Sequence, residues 1–369
     1  MARTTRPTRC LAIGLTVASL AVAAPALAQD MISGVPVIDK LDVNTLPRGK
    51  ITQYWFKAAE TNDAQWLYVP VIVARGAQDG KRLLLNSAIH GDELNGIRVV
   101  QKVMAGIDVS ALKGTVIGIP GLNVSGNLHA NRQMYLSTDG GSLVDLNRAM
   151  PGDEAKGDNG ARFDGRVWNR LWAGNVDLVI DLHTQSTGTA YPLYVWADPR
   201  VDGVLKIADA INPDVIKYDP GEKGTVETEF DRIKIPAVTF EIGRAKLFQE
   251  DLIDRAVGGV GRAMVAFDML PAPLAKPAEL TKPFIGNETT SITASTGGFV
   301  ELHVKLLDKV TKGQTLATQM NAFGAVVKEY TAPSDGLVLA IGDEPTREPG
   351  SLIVRLIHWN AADTCKQGC

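Results

Sequence analysis

Two residues three apart, His90 and Glu93 in Asn86-Ser-Ala-Ile-His-Gly-Asp-Glu93, and a third further on, His183 in Asp181-Leu-His-Thr184, have the types needed to hold a catalytic metal. Two imidazoles and a carboxylate can bind zinc while leaving one position open for water. At a strand-to-helix turn, His90 and Glu93 can both reach one point, and His183 closes a third direction. A lone histidine usually reads as a hydrogen-bonded core side chain. The second histidine, directly after a buried apolar run, shifts this set toward a metal. His129, His303 and His358 lack an acidic companion at ligand spacing and read as core or surface histidines.

Further residues could act beside such a metal. Glu241 ends the apolar run Ala237-Val-Thr-Phe-Glu241, and a carboxylate there is costly unless it faces a polar site. It could be a fourth ligand, a structural ion pair or a general base for water, and the base role suits a site that already has three ligands. Between Glu93 and His183 lie Asn131-Arg132 and Asp145-Leu-Asn-Arg148. Arginine stays charged and binds carboxylates bidentately, so Arg132 and Arg148 could hold an anionic group and polarise a carbonyl.

The elements that must position these residues are strands. Arg82 to Ile89 and Val176 to Leu182 are apolar runs directly before the ligands, and sites in open α/β sheets gather beyond the carboxyl ends of strands. Strands are also expected over 49–56, 66–73, 114–120 and 237–242. Helical spacing runs from Leu94 through Ile97 and Val100 to Met104, with further helices over 161–173 and 251–270. A long polar, Gly-rich loop is expected between the strand at 114–120 and Asp158. The alternation predicts an α/β domain over 29–270, with a mixed, mostly parallel sheet flanked by helices.

Three prolines fall in Pro271-Ala-Pro-Leu-Ala-Lys-Pro277, a linker. Beyond it, short strands punctuated by glycine predict a small all-β barrel-sandwich domain over 278–360, followed by a tail over 361–369. Asp308 to Ala317 and Ala332 to Val338 resemble biotinyl or lipoyl carrier domains, without the Met-Lys-Met-like motif that bears the modified lysine. A structural or substrate-gating role is therefore expected in place of a swinging arm.

The chain has 369 residues, is 45% hydrophobic and carries a formal charge of −3. This balance gives no support for a nucleic-acid partner. Arg3, Arg6 and Arg9, the apolar stretch Leu11 to Val22 and Ala26-Leu-Ala28 predict a cleaved signal peptide over 1–28 and a periplasmic or secreted product. The apolar stretch is short for a membrane span of about 20 residues, and no later segment approaches that length. Of three cysteines, Cys10 precedes the apolar stretch; Cys365 and Cys369 could close a small disulfide loop or remain free thiols.

Four motifs in order, Asn86 to Glu93, Asp145-Leu-Asn-Arg-Ala-Met-Pro-Gly152, Ile180-Asp-Leu-His183 and Val238-Thr-Phe-Glu-Ile-Gly243, resemble the succinylglutamate desuccinylase/aspartoacylase family of carboxypeptidase A-like zinc hydrolases. The resemblance covers about residues 80 to 265, and a C-terminal β domain is also typical of the family. It implies one Zn²⁺ per chain on His90, Glu93 and His183, with Glu241 as general base. It further implies that Asn147 and Arg148 grip a substrate carboxylate and that Arg132 polarises the scissile carbonyl. Two departures stand out: Asp92 replaces a common asparagine, and the segment from Arg132 to Asp145 is longer than in the family pattern. Asp181, on the same strand face as His183, could orient that ligand.

The leading expectation is an exported zinc-dependent deacylase or amidohydrolase acting on an N-acyl amino acid or similar small carboxylate. The alternatives are a carboxypeptidase-like amidase of cell-wall or other short peptides, and a non-catalytic metal-containing binding protein. Pocket walls are expected from 191–196 and from the loop around 221–229. Acyl group, amine and oligomeric state are left open by the sequence.

Overall fold

Runs of Val, Ile and Leu become the centre of one large sheet because strands buried on both faces need apolar residues throughout. The computed structural model describes residues 1–2, 30–138, 141–274 and 280–369. The signal peptide expected over 1–28 therefore lies outside the described residues apart from Met1 and Ala2, as does the linker from 275 onward.

In chain order the elements that matter to the site are β1 (Lys50–Glu60), β2 (Trp66–Arg75), β3 (Gln78–Ser87), α1 (Asn95–Gly106), β4 (Lys113–Pro120) and α2 (Asn159–Arg166). They continue with β5 (Leu178–Gln185), β6 (Leu193–Ala197), α3 (Val204–Ile211), β7 (Val215–Tyr218), α4 (Val226–Arg232), β8 (Ala237–Arg244) and α5 (Glu250–Ala266). The sheet runs β1-β2-β4-β3-β5-β8-β6-β7, extended by Met31–Ile32 and Val35–Ile38 at one edge and Phe284–Gly286 at the other. It is mixed: β4-β3-β5-β8 pair in parallel, whereas β6 lies antiparallel to β8 and β2 antiparallel to β4.

Helices cover both faces. On one side α1, α3 and α5 bury Val99, Val103, Ile207, Ile253 and Val260 against the sheet. On the other, Phe163, Trp172 and Phe230 are buried beneath the sheet's second face. Side chains of this size contribute about 1.5–3 kcal/mol each on full burial. The helix expected over 161–173 is α2 continued by a π-helical turn, Val167–Trp172, which stacks Trp168 on Phe230 at a centroid distance of 4.6 Å.

The expected long loop before Asp158 carries more structure than its polar composition suggested. It contains a short helix, Val124–Leu128, a hairpin pairing Met134–Leu136 with Ser142–Val144, and a 3₁₀ turn at Leu146–Arg148. The buried side chains of Met134 and Leu136 are what the hairpin packs inward.

Beyond the linker, two small sheets enclose a separate core of Leu316, Val338, Ile353 and Leu356. They are not detached from the first domain. Thr189–Ala190 pairs antiparallel with Gly336–Gly342, and Phe284–Gly286 joins β7 in parallel. Cys365 and Cys369 are disulfide-bonded in the tail.

Candidate metal centre and its cavity

β3 and β5 are adjacent and parallel, but the chain leaves them in opposite directions across the sheet, β3 toward β4 and β5 toward β8. Such a switch point opens a crevice at the carboxyl edge. β3 ends at Ser87, and the following turn carries His90 and Glu93 into the crevice before α1 begins. Gly91 makes that turn possible: a Cβ there would sit 2.2 Å from the backbone of Gly126 and Asn127 in the short helix. In β5, Asp181 pairs with Asn86 of β3, and His183 pairs with Glu241 of β8. Three parallel strand ends thus deliver all four groups to one place.

His90 Nδ1 lies 2.9 Å from Glu93 Oε1, and His183 Nδ1 lies 3.0 Å from Glu93 Oε2 and 3.1 Å from His90 Nδ1. Ligands about 2.0–2.2 Å from one tetrahedral ion are separated by little more than this. Two imidazole nitrogens and a carboxylate converging on one point, with both far nitrogens already held, make a donor set that fits a divalent metal. The far nitrogens are also held: His183 Nε2 is 2.9 Å from Asp181 Oδ2, and His90 Nε2 is 3.2 Å from Asp145 Oδ1. Asp181 is fixed in turn by Asn86 Nδ2, which donates to Oδ1 at 2.8 Å. Carboxylate partners of this kind set the tautomer and ring orientation of metal-binding histidines. Burial alone would raise the Glu93 pKa, but His90 and His183 hold it well below the usual carboxylate range.

Glu241 stands beside the set and is not tied into it. Its Oε2 is buried without a hydrogen-bond partner. Burial pushes its carboxyl up to about 8; the charge of His183 opposes the rise and that of Glu93 adds to it. A cation in the neighbouring cluster favours the ionised form and draws the value back down.

Arg132 reaches the centre despite the extra length before Asp145, because the hairpin absorbs that length and returns both residues to the crevice. Its Nη1 donates to Glu93 Oε1 at 2.9 Å and to Ser186 Oγ at 3.1 Å. Asn147 is buried, and its Oδ1 accepts from Val226 N–H at 2.9 Å, so its NH₂ is what it can offer a ligand. Arg148 is partly exposed at the rim, with Nε 3.2 Å from Glu222 Oε1. All seven residues expected at the site line one cavity of about 280 Å³. Tyr191 and Trp196 form part of its wall, as the sequence suggested, together with Glu222, Thr225 and Glu227 from the turn around α4.

The remaining histidines make their contacts away from the centre: His129 Nδ1 lies 2.8 Å from Ser125 O, His303 Nε2 2.8 Å from Thr318 Oγ1, and His358 Nε2 3.0 Å from Glu288 Oε2. Asp92 turns away from the ligands and accepts from Thr187 Oγ1 at 2.7 Å. Three contributors were not singled out from sequence. Asp145 heads a recognised motif, yet nothing local marks it as the partner of His90. Glu227 was expected only as part of the 221–229 wall, read as loop, and it stands in helix α4. Arg355 comes from the C-terminal domain, where its Nη1 donates to Tyr191 Oη at 2.7 Å and it lines the same cavity.

A mixed α/β sheet with a buried His₂Glu set at its switch point and an unpartnered carboxylate alongside defines a site of the metal-dependent hydrolase class. The chain belongs to the succinylglutamate desuccinylase/aspartoacylase family, whose catalytic-domain model matches residues 79–266. An N-alpha-acetyl-L-2,4-diaminobutyric acid deacetylase from Halomonas elongata is 26% identical over 304 residues, 76% of this chain and 83% of that one. A succinylglutamate desuccinylase from Pseudomonas aeruginosa is 28% identical over 192 residues, 48% of this chain and about half (55%) of its own length. Among solved structures, the product-bound ectoine utilization protein from Ruegeria pomeroyi shares the fold at a TM-score of 0.73 and 20% identity, covering 85% of this chain and 97% of that one. A succinylglutamate desuccinylase/aspartoacylase from Rhodobacter sphaeroides does so at 0.73 and 17%, covering 87% and 99%.

Proposed function

We propose that this chain is an exported, zinc-dependent deacylase that hydrolyses the amide bond of a small N-acylated amino acid. The observation that carries this reading is the unpartnered Oε2 of Glu241 in the cavity that also holds the His90, Glu93 and His183 donors. Zinc suits a set of two imidazole nitrogens and one carboxylate, and when bound there it would lower the pKa of water to about 7 and polarise a carbonyl. The names of both relatives describe removal of an acyl group from an amino acid, which supports the same reaction class here.

In this mechanism Glu241 accepts a proton from the attacking water at Oε2. It then donates that proton to the amide nitrogen as the carbon–nitrogen bond breaks, so a carboxylic acid and a free amine leave. Arg132, turned from Glu93 toward the substrate, stabilises the negative charge that develops on the carbonyl oxygen, a contribution of about 3 kcal/mol for a well-placed donor. Arg148 exchanges its rim contact with Glu222 for the substrate carboxylate, and the Asn147 NH₂ supports it. At about 280 Å³ the cavity falls just below the usual range for ligand pockets, about 300–1,000 Å³, which favours a single amino acid over a longer peptide.

We also read residues 1–28 as an export signal, and a Cys365–Cys369 bridge suits an oxidising compartment. The mechanism is tested with a panel of N-acyl amino acids followed by mass spectrometry. Glu241→Gln is expected to lose about 10²–10⁴-fold in kcat while retaining the metal. Near-normal turnover in that variant would remove Glu241 from the chemistry.

A further inference from the structure

One step further from the carboxyl edge than the catalytic groups, the sheet carries a second polar row. Along β8, Thr239 precedes Glu241 by two residues and so points to the same face. Across the strands it pairs with Asp181 of β5 on one side and with Trp196 of β6 on the other. Thr239 is only 6% exposed, and its Oγ1 has no hydrogen-bond partner. The Nε1 of Trp196 is likewise buried and unpartnered. Both residues line the 280 Å³ cavity that holds the metal donors. A buried hydroxyl or indole N–H left without an acceptor is destabilising. Two such donors side by side on one cavity wall mark a place for an acceptor that a ligand brings.

A substrate seated with its amide at the metal donors and its α-carboxylate at the Arg148 rim sends its acyl group inward, toward this row. The charges around the row decide what that group can carry. Asp181 belongs to the row itself, and Lys217, beside Trp196 on β7, is paired with Asp219. The arginines of the cavity are engaged elsewhere: Arg132 at Glu93, Arg148 at Glu222 and Arg355 at the Tyr191 hydroxyl. An anionic acyl terminus would face Asp181 with no free cation beside it, whereas a neutral oxygen satisfies the two donors without that cost. We propose that Thr239 and Trp196 are specificity-determining residues that bind the acyl half of the substrate. The preferred acyl group is short and carries an uncharged acceptor oxygen beyond its carbonyl, as a hydroxyacyl group does. The inference rests on the deacylase reading for the bond that is cut, whereas the acyl subsite can be read by binding alone.

Hydroxamates carry an acyl group on a zinc-chelating head and need no amine, so they probe this subsite directly. The test is calorimetric titration of the zinc-loaded protein with glycolohydroxamate and 3-hydroxybutyrohydroxamate, each against its deoxy counterpart, acetohydroxamate and butyrohydroxamate. At least one hydroxyacyl probe is expected to bind about threefold to tenfold tighter than its counterpart, the scale of one added hydrogen bond. Thr239→Val keeps the shape and removes the hydroxyl. It is expected to abolish the preference and to melt no lower than the unaltered protein, because the lost hydroxyl had no partner. Thr239→Ser is expected to retain the preference, and Trp196→Phe to reduce it. Equal binding within both pairs, or a preference that survives Thr239→Val, overturns the inference. So does tighter binding of the monohydroxamate of succinic acid, an anionic acyl probe, than of either hydroxyacyl one. A Thr239→Val protein that melts well below the unaltered one overturns it too, since the hydroxyl would then be satisfied within the fold. Hydrolysis of Nα-glycoloyl and Nα-acetyl L-amino acids is measured in parallel. A Thr239-dependent preference without hydrolysis leaves the subsite standing and removes the deacylase reading. Hydrolysis without that preference does the reverse, and the absence of both overturns both.

Discussion

Glu241 is only as well placed as the strand beneath it, and the first amide of that strand, Ala237 N–H, donates to Asp231 Oδ1 at 2.9 Å. Asp231 is buried, and burial pushes its carboxyl up to about 8. An acid held protonated in the folded chain but free to ionise in the unfolded one favours folding less as pH rises from about 4 toward 8. An asparagine in its place would keep the acceptor without the titration. Asp231→Asn should therefore gain stability relative to the unaltered chain between pH 4 and pH 8, by about 1–3 kcal/mol, measured by urea denaturation. A difference independent of pH would contradict the assigned burial of the charge. At this scale the sequence was most legible where chemistry is local. His90, Glu93, His183 and Glu241 each follow an apolar run that becomes a strand. Asp145 and Arg355 were not legible as site residues, because each acquires its role from a partner far along the chain, His90 and Tyr191 respectively.

The elements nearest the site were recovered where apolar runs were long. β3, β5 and β8 could be read directly, since central strands covered on both faces need continuous Val, Ile and Leu. β6, α3 and β7 were not marked as elements. β6 is only five residues with aromatic and aliphatic side chains mixed, and β7 is only four with a lysine among them. α3 has no side-chain N-cap, beginning after Gly203 and ending at Asn212 in left-handed backbone. The turn between β3 and α1 depends on close packing that no periodicity reveals. At Gly91 an added methyl meets backbone and not a movable side chain. Gly91→Ala is expected to cost about 1–3 kcal/mol and to weaken metal retention, because His90 and Glu93 flank the displaced residue. Thermal unfolding together with metal analysis checks this. Unchanged stability and metal content would show that the turn has slack.

On the scale of the molecule, the C-terminal β domain is part of the cavity. Its strand Gly336–Gly342 pairs with Thr189–Ala190, Arg347 donates to Gly188 O at 2.7 Å, and Arg355 holds the Tyr191 hydroxyl. The sequence showed a separate texture after the linker but not this docking, since the contacts join residues more than 100 positions apart. Arg355→Ala is expected to lower kcat/KM by about tenfold or more with metal retained, the scale of a charged hydrogen bond. Kinetics with the preferred substrate would show it, and unaltered kcat/KM would reduce the domain to a scaffold. All of this rests on a metal at the three convergent donors, so metal content measures the central claim most directly. Protein supplied with zinc, then dialysed, is predicted to keep close to one zinc per chain and to lose it in His183→Ala. Retention of no near-stoichiometric metal by the unaltered chain would contradict the account.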